Sequence, residues 1–200
     1  MQLFPLFYLP NIEYMALLCK EEKAFIEAEE NFVKSSFRNR CEIAGANGKM
    51  TLSIPVKGGR DHHQKYRDVQ IPNLSPWQAQ HWQSILSAYG SAPFFEHYQH
   101  HFQPFYEKEA TSLFDFNVAL LSILLKLLKV KTEVIFTTTY EKIPTDLIDF
   151  RNHFSQNNII APTLPKYIQV FESKTGFISN MSVLDALFNL GPEAKNFLQS

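Results

Sequence analysis

Four cationic side chains surround one short predicted hairpin, and together they could hold an anion. They are Lys34, Arg38, Arg40 and Lys57. Guanidinium groups bind phosphates and carboxylates through paired hydrogen bonds, and several fixed cations at one end of a rigid element would concentrate that binding. The alternative is that these charges only solvate the end of the hairpin, because most surface charges have no specific partner. The first interpretation predicts a site for an anionic small molecule.

A histidine on a predicted helix is the candidate for proton transfer. One stripe of that helix recurs every four residues and consists of Trp77, His81, Ile85 and Tyr89. His81 therefore lies on the inward side, where its imidazole could act as a general acid or base at a pocket wall. The alternative is a buried histidine whose role is structural. Asn117, an amide within a long apolar helix, is likewise either a buried hydrogen-bonding group or a pocket residue.

The other histidines do not indicate a metal site. His62 and His63 are adjacent, so on a regular element their side chains would face different ways. His97 and His101 have the i, i+4 spacing of a helical metal pair, but no HExxH pattern accompanies them. The two cysteines of the chain show no metal-ligand spacing. We therefore predict no metal ligands, and the sequence identifies no cofactor.

The composition is that of a globular domain without the strong charge of a bulk nucleic-acid-binding protein. The chain has 200 residues, of which 45% are hydrophobic, and its formal net charge is -1. This length predicts a single domain over residues 1–200. The near-neutral charge balance, with a pI of about 6.7, argues against bulk nucleic-acid binding, which leaves a basic footprint.

The sequence predicts a cytoplasmic protein without a membrane span. Cys19 and Cys41 are too few for a disulfide framework, which favours a reducing compartment. The N-terminus lacks the basic region, apolar core and cleavage site of a signal peptide. The most apolar run, from Val118 to Leu128, is interrupted by Lys126 and is too short to cross a bilayer. The sequence does not define an oligomeric state.

The chain alternates predicted strands and helices around one inserted hairpin. The predicted strands cover residues 2–9, 24–28, 67–71, 131–139 and 167–171, and the predicted helices cover 12–22, 76–89, 94–106, 107–129, 146–154 and 183–190. Ser75-Pro76 has the composition of a helix start, and Gly191-Pro192 has that of a helix stop. The opening strand, helix and strand predict the beginning of a βαβ unit.

The hairpin has an incoming strand from Arg40 to Ile43 and an outgoing strand from Met50 to Val56. Its centre, Asn47-Gly48, has the composition of a two-residue type I′ turn. Together with the alternating elements, this predicts an α/β fold, with a mixed sheet flanked by helices and an inserted antiparallel hairpin. An α+β arrangement is the alternative, because hairpin-linked strands could dominate the sheet.

Several of these segments, taken as a set, resemble the WbqC-like family of bacterial proteins over about residues 30–120. They are Lys34-Ser-Ser-Phe37-Arg-Asn39-Arg40, then Leu52-Ser-Ile-Pro55-Val-Lys57, then Trp77 with His81, Ile85, Tyr89, Ala92-Pro93-Phe94-Phe95 and Tyr98, and later Asn117. The tail from Phe177 to Asp185 is also similar to short members of the family. Tyr8-Leu9-Pro10 matches the aromatic-Leu-Pro segment that follows the family's first strand.

One departure from the family pattern lies near the N-terminus. Family members usually carry a His-Gln-Pro sequence there, whereas Phe4 and Pro5 stand where the His-Gln pair would fall. A role of that histidine in relatives cannot be transferred to this chain.

The resemblance implies a cytosolic role in sugar or surface-polysaccharide assembly. One hypothesis is a transferase that acts on an anionic activated donor, either nucleotide-linked or acyl. Lys34, Arg38, Arg40 and Lys57 would hold the donor, His81 would move a proton, and Tyr8, Asn39 and Asn117 would position the substrate. The second hypothesis is that the same pocket binds an anionic ligand or a protein partner without chemistry. The missing His-Gln pair favours the second hypothesis, and His81 beside a basic cluster favours the first.

Overall fold

The computed structural model describes residues 1–57, 64–72, 76–154 and 164–200. The strands are β1 Gln2–Pro5, β2 Lys23–Glu27, β3 Arg40–Gly45, β4 Gly48–Ser53, β5 Glu133–Phe136 and β6 Ile148–Asp149. The helices are α1 Ile12–Leu18, α2 Trp77–Tyr89, α3 Phe95–Glu107, α4 Leu113–Leu127, α5 Glu172–Thr175, α6 Val183–Leu190 and α7 Ala194–Gln199. The helices of the described ranges are all too short or too polar to cross a membrane.

The strands form two separate sheets. Strands β5, β2, β1 and β6 form one sheet in that order, and each neighbouring pair is parallel. Strands β3 and β4 form an antiparallel hairpin beside it. The α/β prediction is confirmed: parallel strands, flanking helices and an inserted hairpin are all present, with the antiparallel pairing confined to the hairpin.

The start of the chain follows the predicted strand–helix–strand order. Strand β1 stops at Pro5, which cannot donate to a ladder. Asn11 then caps α1, because its side-chain oxygen accepts a 3.0 Å hydrogen bond from the backbone N–H of Tyr14. Helix α1 ends at Leu18, earlier than predicted. The chain turns and enters β2, which pairs in parallel with β1.

The hairpin turn differs from the prediction. Gly45 pairs with Gly48, so Ala46 and Asn47 are the turn residues. Gly48 has a φ of +102°, whereas Ala46 and Asn47 do not have positive φ values. The predicted type I′ turn at Asn47-Gly48 is therefore wrong. Gly48 instead directly follows the two turn residues. Its lack of a Cβ permits the left-handed backbone at that position.

Helices α2, α3 and α6 lie where the sequence predicts them. The predicted cap at Ser75 and the residues His62 and His63 lie outside the described residues. Helix α4 begins only at Leu113, because Ser112 caps it by accepting a hydrogen bond from the backbone N–H of Asp115.

Three short predicted elements are wrong. Residues 67–71 form no strand: the first two end a 3₁₀ turn over Tyr66–Asp68, and Gln70 makes only an isolated bridge to Ser112. The range 146–154, predicted as a helix, instead contains the two-residue strand β6, which pairs with β1, and then a turn over 151–153. Residues 167–171 form no strand, because Tyr167 and Gln169 use their side chains to reach Asp185. Such short apolar runs carry no periodicity that separates the alternatives.

Gly191 ends α6 in a crowded position, which allows a direct test of the packing. Its φ is +57°, and an added Cβ would lie 2.7 Å from Cε1 of Phe94 and closer still to two other ring atoms. We expect Gly191→Ala to lower the free energy of unfolding by about 2 kcal/mol, through steric overlap added to backbone strain. Urea unfolding measures this quantity.

Gly176 provides the matched control for that experiment. Its φ is +72°, but an added Cβ would meet no atom within 4 Å. Gly176→Ala therefore carries the backbone strain without the overlap, and we expect the smaller loss of about 1 kcal/mol. Equal losses in the two variants would contradict close packing of Phe94 on Gly191.

Candidate functional site

A cleft of about 330 Å³ lies where the chain leaves β1 and β6. Asn11 and Glu13, which follow β1, line one side, and Phe154, which follows β6, lines another. Residues Glu42 and Lys49 of the hairpin complete the walls together with the segment 177–181. In parallel sheets ligands bind beyond the carboxyl ends of the strands, where the strand order changes direction. The cleft occupies that position, because β2 and β6 lie on opposite sides of β1.

Glu13, which lines this cleft, forms a hydrogen-bonded pair with a histidine that is not among the lining residues. His153 Nε2 lies 3.1 Å from Glu13 Oε1. The other carboxylate oxygen accepts a 3.2 Å hydrogen bond from Nδ2 of Asn180. The Glu13 side chain is 11% exposed and the His153 side chain 32% exposed. The Glu13 carboxylate is thus fixed by Asn180, while the His153 imidazole remains accessible to solvent.

The segment around Asn180 is bonded to the start of α1. The backbone N–H of Glu13 donates to Asn180 Oδ1 at 2.9 Å, and that of Ile12 donates to the carbonyl of Met181 at 2.9 Å. The backbone N–H of Ser182 donates to the carbonyl of Glu42 at 2.7 Å. Asn180 has a φ of +56°, a conformation that asparagine tolerates better than most residues. These bonds hold Glu13 in a fixed position.

The turn that carries His153 is held by a buried ion cluster around Arg151. Its Nε and Nη2 donate to the two carboxylate oxygens of Asp149 at 2.9 and 2.7 Å, and Nη1 donates to Glu27 at 2.9 Å. Glu27 also accepts a 2.7 Å hydrogen bond from Thr137, so the ends of β2, β5 and β6 are joined. The hydrogen bonds to Asp149 raise the pKa of Arg151.

Aromatic rings and a second ion pair complete the cleft. Phe37, Phe154 and Phe177 form its apolar surfaces. Glu42, whose side chain is mostly buried, pairs with Lys49 at 3.0 Å, and the lysine side chain is 43% exposed. Apolar ring faces beside carboxylates and amides suit a polar ligand that also presents a C–H face.

His81 does not line this cleft and is sealed in the core. Its Nδ1 lies 2.9 Å from the hydroxyl of Tyr8, which is itself 2.8 Å from the hydroxyl of Tyr106. Burial lowers the pKa of His81 from 6.5 to about 4, and a hydrogen bond to the backbone of Ser53 opposes this only in part. The ring is therefore neutral at pH 7. The predicted stripe does face inward, and its histidine has structural hydrogen bonds.

Arg38 is also buried, and its charge is already balanced. Its Nε and Nη2 each donate to one carboxylate oxygen of Glu30 at 2.6 Å. These two nitrogens are thus already hydrogen-bonded within the protein and are not free to bind an anion through paired hydrogen bonds. Its carbonyl accepts a 2.7 Å hydrogen bond from Nδ2 of Asn117.

The two asparagines of the predicted site also form hydrogen bonds within the protein. Asn39 Nδ2 donates to the carbonyl of Ile54 at 2.9 Å, which ties the start of the hairpin to its end. Asn117 Nδ2 lies 2.6 Å from the hydroxyl of Tyr66. Oδ1 of Asn39 and Oδ1 of Asn117 are buried and have no partner among the described residues.

The other predicted cations are not gathered in the cleft. Lys34 and Lys57 are exposed, and Arg40 is half-buried at the start of β3. Lys57 Nζ lies 3.4 Å from Oε1 of Gln70. The structure therefore joins Tyr8 to His81 and Arg38 to Asn117, while Lys34 and Lys57 lie at the surface. Within the described residues, no group of three or more His, Cys, Asp or Glu side chains has a geometry that could hold a metal.

The sequence analysis missed Glu13, His153 and Asn180. The segment around Asn180 was noted only as part of the tail, and His153 lay in a stretch predicted as a helix. No local pattern links these residues, which are separated by most of the chain. Phe4, at the position where the family pattern has histidine, is buried and packs on Phe154 with a ring separation of 6.5 Å. The departure in sequence thus lies directly behind one wall of the cleft.

Comparison with known proteins gives two matches. The model of the WbqC-like protein family matches residues 7–163. An uncharacterized protein of Mycobacterium tuberculosis (strain ATCC 25618 / H37Rv), Rv1507c, is 25% identical over 218 aligned residues, which cover 96% of this chain and 94% of the relative. No solved structure matches the chain significantly.

Proposed function

The chain belongs to the WbqC-like protein family, and from that premise we propose that it transfers a group to a hydroxyl or amine of a small sugar-like acceptor bound in the cleft. The donor in this proposal is an anionic activated compound, nucleotide-linked or acyl. The setting is cytoplasmic sugar or surface-polysaccharide metabolism in bacteria. The observation that carries the proposal is the His153–Glu13 pair.

This pair has the parts of a proton-transfer couple. A carboxylate that accepts a hydrogen bond from imidazole orients the ring and stabilises its protonated form, so that the ring can remove a proton from an attacking hydroxyl or amine. Asn180 fixes Glu13, and the Arg151 cluster fixes the turn that carries His153. His81 has no comparable access to solvent, so we assign the proton-transfer role to His153.

The walls of the cleft favour a sugar-like acceptor. Sugars present C–H faces that pack on aromatic rings, and Phe37, Phe154 and Phe177 supply such rings. Their hydroxyls pair with carboxylates and amides, which Glu13, Glu42, Asn11 and Asn180 supply. Lys49 is the cation of the cleft lining, and we assign to it the contact with a phosphate or carboxylate of the donor.

A binding module without catalysis is the second candidate, and one observation favours it. The Glu13 carboxylate links α1 to the segment around Asn180 and to the turn of His153. Such a cross-link could serve rigidity alone. In that case the cleft would bind a ligand without transforming it.

The test measures group transfer directly. The purified chain is incubated with hexose and amino-sugar acceptors and with nucleotide sugars or acyl-coenzyme A esters, and release of nucleotide or coenzyme A is followed. We expect His153→Gln and Glu13→Gln to lower the rate by at least about tenfold, since a positioned general base contributes at least this much. His100→Gln, an exposed histidine on α3, is the matched control and should keep the rate.

Two results would count against this function. A rate that is unchanged in folded His153→Gln protein would exclude His153 as the base. A thermal shift with an acceptor, without release from any donor, would instead support the binding module. Binding raises the melting temperature whether or not catalysis follows.

A further inference from the structure

One buried carboxylate of the cleft has fewer partners than its burial demands. Glu42, on strand β3, is only 8% exposed and lines the cleft. Its Oε1 lies 3.0 Å from Nζ of Lys49. Its second oxygen, Oε2, has no hydrogen-bond partner among the described residues. Burying a carboxylate is costly unless its oxygens are hydrogen-bonded, so the free oxygen of Glu42 is a place for a donor that a ligand supplies.

The other buried glutamates of the described ranges are held more completely. Glu27 accepts three hydrogen bonds over its two oxygens. Each oxygen of Glu30 accepts one. In Glu13, the other carboxylate of the cleft, both oxygens likewise have a partner within the protein. Among these four residues, Glu42 is thus the one with an oxygen left over, and this residue lines the cleft.

The one partner of Glu42 is a side chain that can move. Lys49 is partly exposed, and its ammonium group lies at the end of a flexible stem. An ion pair with one exposed partner contributes little to stability, because water screens it. A second ammonium group can therefore join Lys49 at Glu42, or replace it, at little cost to the fold.

The aromatic rings of the cleft also suit a cation. Phe37, Phe154 and Phe177 line the cleft, and the face of an aromatic ring attracts an ammonium group. Phe177 already has such a contact, since Nζ of Lys166 lies 5.8 Å from its ring centroid. A carboxylate with a free oxygen and neighbouring ring faces both favour a ligand that carries an ammonium group.

From these observations we propose that the acceptor of the cleft is an amino sugar, whose protonated amine pairs with Oε2 of Glu42. This inference rests on the proposed function, because it takes the occupant of the cleft to be a sugar-like acceptor and names its class. The carboxylate and the rings discriminate against neutral hexoses, which offer no charge to Glu42.

Isothermal titration calorimetry of the purified full chain, without any donor, tests this recognition. The probes are glucosamine and galactosamine, each compared with its parent hexose at a slightly acidic pH, where the amines carry a proton. We expect each amino sugar to bind at least about tenfold more tightly than its hexose, which is the least that a hydrogen bond between charged groups contributes.

Three variants locate the charge that is responsible. Glu42→Gln keeps the shape of the side chain without its charge, and we expect it to abolish the preference. Glu133→Gln is the matched control and should keep the preference, because the Glu133 side chain is 59% exposed and does not line the cleft. Lys49→Met removes the competing ammonium, so we expect amino sugars to bind more tightly, by up to about fivefold. Circular dichroism confirms that each variant is folded.

Several results would overturn the proposal. They are the absence of amino-sugar binding, equal binding of an amino sugar and its hexose, a preference that survives in Glu42→Gln or is lost in Glu133→Gln, and weaker binding to Lys49→Met. Because no donor is present, the transfer activity can fail separately. Amino-sugar preference without transfer from any donor would refute the proposed catalysis alone, and transfer to hexoses without that preference would refute this inference alone.

Discussion

Arg38→Met is expected to lower the free energy of unfolding by about 3–5 kcal/mol, because it leaves the carboxylate of Glu30 buried without its counter-ion. The two side chains are 5% and 7% exposed, and both fork nitrogens of the arginine bond to Glu30. Water cannot replace the lost partner at such a site. Urea unfolding monitored by fluorescence gives the difference directly.

A double variant separates the cost of an unpaired charge from the worth of the pair. Arg38→Met combined with Glu30→Leu removes both charges, so we expect it to recover most of the lost stability. Arg67→Met is the surface control, since its 2.8 Å bridge to Glu29 is partly exposed and should contribute less than about 1 kcal/mol. A loss for Arg38→Met no greater than that for Arg67→Met would show that the buried pair does not have this structural role.

His81 is expected to make the protein sensitive to acid. Burial lowers its pKa in the folded chain from 6.5 to about 4, so the unfolded chain binds a proton first as the pH falls. The contribution of His81 is therefore constant above pH 6.5 and is lost progressively down to about pH 4, by about 3 kcal/mol in all. This loss is the free-energy difference between protonating the histidine in water and protonating it in the core.

His81→Gln provides the comparison. Glutamine remains neutral at every pH and can still form a hydrogen bond with Tyr8. Between pH 6.5 and 4, we expect the free energy of unfolding to fall by about 3 kcal/mol less in this variant than in the native chain. Other titrating groups are common to both proteins and cancel in the difference. His97→Gln, on the exposed side of α3, should behave like the native chain, and parallel curves for His81→Gln would contradict the burial of this charge-sensitive group.

Both results bear on function as well as on stability. If the Arg38 and His81 variants behave as expected, these two residues stabilise the fold. The anion binding and proton transfer that the sequence suggested for them are then not their roles. The proton-transfer role that we propose for His153 and Glu13, whose side chains meet at 3.1 Å, is tested by their own variants. The two sets of variants thus separate residues that hold the fold from residues that act on a ligand.

The sequence by itself determined the features that depend on near neighbours. The four-residue recurrence of Trp77, His81, Ile85 and Tyr89 placed these side chains inside, and all four are buried. The α/β class follows from the alternation of periodic segments, and the end of α6 follows from Gly191-Pro192. Membership of the WbqC-like family also follows from sequence alone, because it is carried by a set of spaced residues.

Only the tertiary structure decided which side chains face which partners. The sequence shows that residue 38 is cationic, but it does not show that Glu30 neutralises this arginine in the core. Glu13 and His153 are separated by 140 positions, and strand β6 has two residues, too few to show a period. Hydrogen bonds, ion pairs and clefts form between segments that only folding brings together, so local periodicity carries little information about them. For this reason the sequence predicted a site around His81, whereas the structure forms its cleft around Glu13, to which His153 is hydrogen-bonded.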